Sequence, residues 1–204
     1  MLETDIQSLE LTNNTHNIKN TSITGRTFVA DFGNNYWTFR IKTVPLTRAQ
    51  FNGKFHRGDS IFFDRVSQTI GRIKTIQVPI LTDAAGTVSG TITVSADSSI
   101  SPGYTSNVGS DTVAVSGGTG LLKAGDLIAF SNHKKVYMVT ADVNLDGSTL
   151  DTLSIYPRLI QNVAGATITY DNVTFNAIPD GDIFEYSVGT EELFEYEANF
   201  REVL

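Results

Sequence analysis

The alternating strand near the end of the sequence constrains the fold more than any other feature. Apolar or small residues at positions 194, 196, 198 and 200 alternate with polar residues, which is typical of a β-strand with one buried face. Residues 37–42 show the same alternation, but their polar positions are cationic or neutral, whereas those of the closing strand are mostly acidic. Opposite charges on facing strands stabilise a pair by ~0.2–1 kcal/mol. We therefore predict that both strands lie in one sheet, although not necessarily as neighbours.

Charge is also separated along the chain as a whole. Residues 180–204 hold eight acidic residues and one basic residue, a net of -7 that equals the formal charge of the whole chain. Residues 26–74 hold nine basic and three acidic residues. We expect residues 1–82 and 174–204 to form one discontinuous β-sandwich domain, with residues 83–173 inserted as a second domain. The alternative is that the acidic end is only a solvated surface.

Four aromatic residues are expected to hold the core of the discontinuous domain: Trp37, Phe39, Phe194 and Phe200. Four charged residues are candidates for a charge-paired sheet surface or a contact between subunits: Arg40, Lys42, Glu195 and Glu197.

Composition limits the class of protein. A chain of 204 residues that is 40% hydrophobic can bury a real core in one large or two small domains. The absence of cysteine excludes disulfides and thiolate metal sites. A pI near 4.9 argues against general binding to nucleic acid. The sequence shows neither a signal-peptide pattern nor an apolar run of the ~20 residues that span a bilayer, so no membrane partner is expected.

Local patterns predict mainly strands in the first part of the chain. The polar residues 1–25 are interpreted as a partly ordered arm or a short strand. Residues 28–32 and 37–41 are expected to form a hairpin, with the turn at residues 33–35. A capping box at Thr47 and Gln50, with a hydrophobic staple, predicts one short helix over about residues 48–55.

The middle of the chain predicts a small β-barrel. Its composition changes near Thr82 to Ser, Thr, Gly and Ala, and short strands then recur at roughly ten-residue spacing with turn residues between them. Residues 135–140 are apolar on both faces, which is typical of a strand buried on both sides.

Several short motifs resemble those of a known phage family. They occur in the family's order, as PLTR at 45–48, LKAGDLI at 122–128, HKKVYMV at 133–139, IYP at 155–157 and TYDNV at 169–173. This order resembles the distal tail proteins (Dit) of siphophages, and the T-five type of long-tailed coliphage is the closest match. The resemblance covers most of residues 27–204, whereas the first 25 residues match nothing in the family.

The resemblance implies a fold and a function. The expected architecture is a mainly β fold, a discontinuous β-sandwich with an inserted OB-like barrel. The expected role is that of a structural virion protein, a hexameric ring that joins the tail tube to the tip, baseplate or fibre proteins. DNA would pass through its lumen only as a transient passenger, and an anionic lining would repel phosphates. The expected location is the virion tail, after assembly in the host cytoplasm.

Candidate chemical sites are weak by comparison. Asp142, Asn144 and Asp146 occupy the first half of a calcium-loop pattern, but Leu153 stands where the bidentate glutamate belongs. A turn stabilised by Asp and Asn side chains is favoured over a metal site. The sequence shows no catalytic motif, so no enzymatic activity and no cofactor is expected, although acidic residues leave a tail hydrolase open as a third reading.

The main alternative function is a carbohydrate-binding module that contacts the host surface. OB-type barrels present a groove for oligosaccharides. Four tyrosines are available for stacking on sugars, although ordinary core or rim positions are favoured for them: Tyr104, Tyr137, Tyr156 and Tyr170.

Overall fold

In the computed structural model, strands make up most of the described part of the chain. The described residues are 6–15, 17–31, 35–47, 74–77, 88–96, 106–171, 173–180, 185–189 and 191–203. In chain order the strands are β1 (Ile6–Asn14), β2 (Asn17–Thr21), β3 (Thr27–Asp31), β4 (Tyr36–Thr43), β5 (Lys74–Gln77), β6 (Ile92–Val94), β7 (Thr112–Ser116), β8 (Thr119–Leu122), β9 (Leu127–Phe130), β10 (Val136–Val139), β11 (Val143–Asp146), β12 (Asp151–Tyr156), β13 (Thr167–Thr169), β14 (Thr174–Pro179), β15 (Glu185–Val188) and β16 (Phe194–Glu202). The mainly β fold class is confirmed. The helix predicted over residues 48–55 lies outside the described residues.

The chain divides into two compact units. Unit 1 comprises Met1–Asn14, Tyr36–Gln77 and Phe175–Val203, and unit 2 comprises Thr15–Asn35 and Val78–Thr174, together with Leu204. The expected domains, 1–82 with 174–204 and 83–173, remain a prediction, and unit 2 differs from the expected insertion by also containing residues 15–35.

Unit 1 is built on a six-stranded sheet. The strand order is β1-β4-β16-β14-β5, and β15 also pairs with β16. Strand β16 runs antiparallel to β4, with Phe200 opposite Phe39 and Glu197 opposite Lys42. The prediction that the closing strand and the early strand share one sheet is confirmed, and the two strands are direct neighbours.

The alternating residues of β4 and β16 form the core of this sheet. Trp37, Phe39 and Phe200 are buried, and the Phe39 ring stacks on the Phe200 ring with centroids 5.5 Å apart. The ring of Phe175 packs against Phe39 at the same centroid distance of 5.5 Å. Phe194, expected in the core, is only half-buried, because it starts β16 and forms an isolated bridge with Leu46.

The predicted hairpin between residues 28–32 and 37–41 is wrong. Strand β4 is hydrogen-bonded to β1 on one side and to β16 on the other, so it has no edge left for β3. Strand β3 instead pairs with β2 as a separate two-stranded sheet. The interpretation of residues 1–25 as a partly ordered arm or short strand was therefore too weak, because β1 runs over 9 residues and pairs with β4.

Unit 2 contains a closed barrel of six strands. Its order is β10-β12-β7-β6-β13-β9, and β8 and β11 form an additional two-stranded sheet. The interior is filled by aliphatic and aromatic side chains such as Ile92, Val113, Phe130 and Leu153. The predicted small barrel is confirmed, with one strand more than the five of a typical OB-fold.

The glycine turn between β7 and β8 is required by close packing. Gly117 and Gly118 have φ angles of 78° and 66°, which favour glycine. A Cβ atom on Gly117 would lie 2.5 Å from the carbonyl oxygen of Thr91. Only glycine fits at this position, so the turn determines how closely the two segments approach.

Candidate assembly surfaces

The polar face of the unit 1 sheet brings all four predicted charged residues together. Arg40 forms an ion pair with Glu197, and its Nε donates a hydrogen bond of 2.6 Å to Glu197 Oε1. Lys42 Nζ lies 3.5 Å from Glu195 Oε2. Arg40 also approaches Glu10 on β1, with 3.9 Å between nitrogen and oxygen. The carboxylates of the closing strand are thus paired with cations from β4, as the charge pattern predicted.

These ion pairs add little to the stability of the fold. The side chains of Arg40 and Glu197 are 49% and 38% exposed, so water screens their attraction. Exposed pairs typically contribute 0–1 kcal/mol. Their arrangement is better understood as setting the register of the sheet and presenting a charge-balanced surface.

Glu202 is a buried polar residue that the sequence interpretation missed. It is 4% exposed, and its Oε2 accepts a hydrogen bond of 3.1 Å from the backbone N–H of Trp37. The strand alternation gave the signal, because Phe200 faces the core and residue 202 lies on the same face. Glu202 thereby links the end of the chain to the start of β4.

The hairpin formed by β2 and β3 exposes apolar side chains on both of its faces. Ile18 and Phe28 lie on one face, while Val29 lies on the other. Their exposed fractions are 58%, 63% and 58%, and Ile23 at the tip is also exposed. An isolated two-stranded hairpin is marginally stable in water, and clustered exposed apolar residues commonly mark an interaction site. The hairpin is therefore a candidate assembly surface.

The calcium-like loop uses its acidic side chains to hold backbone turns. Asp146 Oδ1 accepts hydrogen bonds of 2.8 Å from the backbone N–H groups of Ser148 and Thr149. These bonds, that of Thr149 first, lower the pKa of Asp146 to about 2. Asp142 Oδ1 accepts a hydrogen bond of 2.8 Å from the N–H of Ala124. In the part of the chain that the structure describes, no three His, Asp or Glu residues are grouped to hold a metal ion.

The tyrosines considered for sugar stacking occupy different positions. Tyr137 is fully buried, and its hydroxyl lies 2.8 Å from His133 Nε2. Tyr170 donates a hydrogen bond of 2.8 Å to the carbonyl oxygen of Gly90. Tyr156 lines a cavity on the barrel unit. Tyr104 lies outside the described residues.

His133 is packed in the same aromatic cluster as Tyr137. Its ring stacks on Phe130 with centroids 5.8 Å apart. Burial lowers the pKa of His133, and the nearby Lys135 ammonium lowers it further. The imidazole therefore favours its neutral form, which suits a structural role within the barrel.

Comparison with known proteins finds a similarity between the barrel segment and one domain of a phage tail protein. Residues 90–178 match the family model described as "Distal tail protein pb9, B domain". No curated protein matches the chain. No helix in the described residues has the length and apolar character needed to cross a membrane. The matched segment begins just before β6 and ends within β14, so it contains every strand of the closed barrel. Residues 90–178, fewer than half of the chain, are thus similar to one domain of a phage distal tail protein.

Proposed function

We propose that this protein forms a homohexameric ring at the tail tip of a siphophage of the T-five type. The ring joins the tail tube to the tip, baseplate or fibre proteins and leaves a lumen for DNA. It assembles in the host cytoplasm and has no enzymatic activity of its own. The observation that carries the proposal is the match of residues 90–178 to the B domain of a distal tail protein.

The exposed hairpin of β2 and β3 supports self-assembly. Its apolar residues lie on two faces, and a second copy of the chain can cover them in a ring where every subunit is in the same environment. Burial of a side chain such as Phe28 contributes a few kcal/mol to such a contact. We infer that the hairpin docks onto the neighbouring subunit.

The paired charges of β4 and β16 restrict which residues can line the lumen. Glu195 and Glu197 face Lys42 and Arg40, so this part of the sheet is close to neutral. Exposed carboxylates also lie in the turn before β16, at Glu191 and Glu192. We propose that this turn, rather than the sheet face, gives the lumen its negative potential.

Native mass spectrometry over a range of protein concentrations tests the ring. We expect a species with the mass of six 22.2 kDa chains to grow as the concentration rises. Phe28→Asp should suppress that species, because it places a charge in the apolar contact. Leu150→Asp is the matched control, since Leu150 is 51% exposed outside the hairpin. A hexamer that forms equally well with Phe28→Asp would refute the role of the hairpin, and a wild type that stays monomeric with added tail tube protein would refute the ring.

A further inference from the structure

The barrel unit carries a cavity that the ring proposal does not use. Its volume is about 520 Å³, which lies within the range of ~300–1,000 Å³ for small-molecule sites. The walls include the end of β12, the residue that follows β10 and the start of β7, with Asn35 contributed by the segment before β4. Six of the lining residues have side chains that can form hydrogen bonds with a ligand: Asn35, Asp111, Thr140, Ser154, Tyr156 and Arg158.

Asn35 gives the cavity a buried acceptor without a partner. The residue is 2% exposed, and no donor among the described residues reaches its Oδ1 atom. Its Nδ2 makes only a long contact of 3.4 Å with the hydroxyl of Tyr156. The Oδ1 atom is itself enclosed. A buried polar atom without a hydrogen bond destabilises a protein, so a turn of the amide toward the cavity that lets Oδ1 accept a hydrogen bond from a ligand would be favourable.

The backbone at Asn35 is held firmly in place. The buried ammonium of Lys135 donates a hydrogen bond of 2.6 Å to the carbonyl oxygen of Asn35. Charge-assisted hydrogen bonds of this length are about twice as strong as neutral ones. The backbone at Asn35 is therefore held by the barrel, which reduces the entropy that binding would cost.

The remaining lining residues define the chemistry of a ligand. Asp111 accepts hydrogen bonds and Arg158 donates them, and their opposite charges cancel. The hydroxyls of Thr140, Ser154 and Tyr156 can both donate and accept. Such a lining does not favour an anion or a cation, but it matches a neutral molecule with several neighbouring hydroxyl groups. The phenol ring of Tyr156 adds a flat, partly apolar wall.

We propose that this cavity is a binding site for a neutral saccharide, and that the enclosed Asn35 amide turns on binding so that a sugar hydroxyl donates to Oδ1. Arg158 and Asp111 bind further hydroxyls at the rim. The site gives each subunit a binding function that is separate from ring assembly. It supports the expectation that the barrel unit binds carbohydrate, which was the main alternative function.

The test is a titration of the ¹⁵N-labelled full chain with glucose, galactose and N-acetylglucosamine, followed by amide chemical shifts. We expect at least one of these sugars to shift the amides of Thr140, Ser154 and Tyr156, with a Kd in the millimolar range. Asn35→Leu and Arg158→Ala should each weaken binding at least tenfold. Lys134→Ala, which removes another exposed cation of the same unit, should leave it unchanged.

Three outcomes would overturn the saccharide site. The first is that none of the three sugars shifts the cavity amides. The second is that binding persists unchanged in Arg158→Ala, a surface change that keeps the fold even if Asn35→Leu does not. The third is that glucose 6-phosphate binds more tightly than glucose, because the site would then select an anion. None of these results alters the hexamer measurement, so the two proposals fail independently.

Discussion

Replacement of Phe200 by alanine should destabilise unit 1 strongly. Phe200 is fully buried, stacks on Phe39 and comes from the last nine-residue strand of the chain. A buried phenylalanine removes ~150–250 Å² from water, which at ~25 cal/mol per Å² corresponds to roughly 4–6 kcal/mol as an upper estimate. Alanine keeps part of this burial, and measured Phe→Ala changes in cores cost about 3–5 kcal/mol. At ~4–8 °C per kcal/mol for a domain of about 60–100 residues, the Tm of unit 1 should fall by at least about 12 °C.

The single tryptophan of the chain provides the assay. Trp37 lies in β4, so its fluorescence during urea or thermal unfolding reports on unit 1. The control is Val188→Ala, because Val188 lies in unit 1, is 53% exposed, and its truncation should change the free energy of unfolding by less than about 0.5 kcal/mol. If Phe200→Ala left the Trp37 transition within the range of the Val188 control, the shared core of β4 and β16 would be refuted.

Four further predictions follow from the described contacts. Arg40→Glu and Glu197→Arg should each lower the free energy of unfolding by up to ~1 kcal/mol, and the double reversal should restore it; equal losses in 1 M salt would exclude an electrostatic cause. Gly117→Ala should destabilise the barrel by about 1–3 kcal/mol in chemical denaturation, because the added Cβ would lie 2.5 Å from a carbonyl oxygen; unchanged stability would show that the turn can relax. Asp146 should titrate at about 2 by NMR, so its hydrogen bonds stabilise the loop fully above the ordinary carboxyl pKa of 3.8 and are lost as the pH falls through 2; a titration at 3.8 would contradict these bonds. His133 has a lowered pKa, so its contribution to stability is present above the ordinary imidazole pKa of 6.5 and is lost as the pH falls below it; the imidazole proton shifts should show a titration below 6.5, and one above would contradict its burial.

The sequence predicted the part of the fold that depends on alternation and charge. The apolar residues of β4 alternate with cations and those of β16 alternate with carboxylates, and Arg40 and Glu197 meet as an ion pair on the polar face. A different pattern, a run that is apolar on both faces at residues 135–140, correctly predicted the buried strand β10 of the barrel. Such patterns show which face of a strand is buried, so they can be interpreted without knowing which strands pair with it.

The predictions failed where the neighbouring strand in a sheet had to be identified and where a strand is mostly polar. Residues 33–35 look like a hairpin turn, but pairing with β1 and β16 occupies both edges of β4. Strand β1 carries mostly polar residues with Leu9 and Leu11 as its apolar points, and its stability comes from long-range pairing that a local pattern does not contain. The cavity at Asn35 was not predictable either, because it combines residues more than 100 positions apart.

Cryo-electron microscopy of virions of the phage that encodes this chain tests the central claim most directly. We predict six copies of the chain in one ring between the end of the tail tube and the tip or fibre proteins, with the hairpin of β2 and β3 against the next subunit. Density for the chain at another position in the particle, or in a ring of different symmetry, would contradict the proposed function.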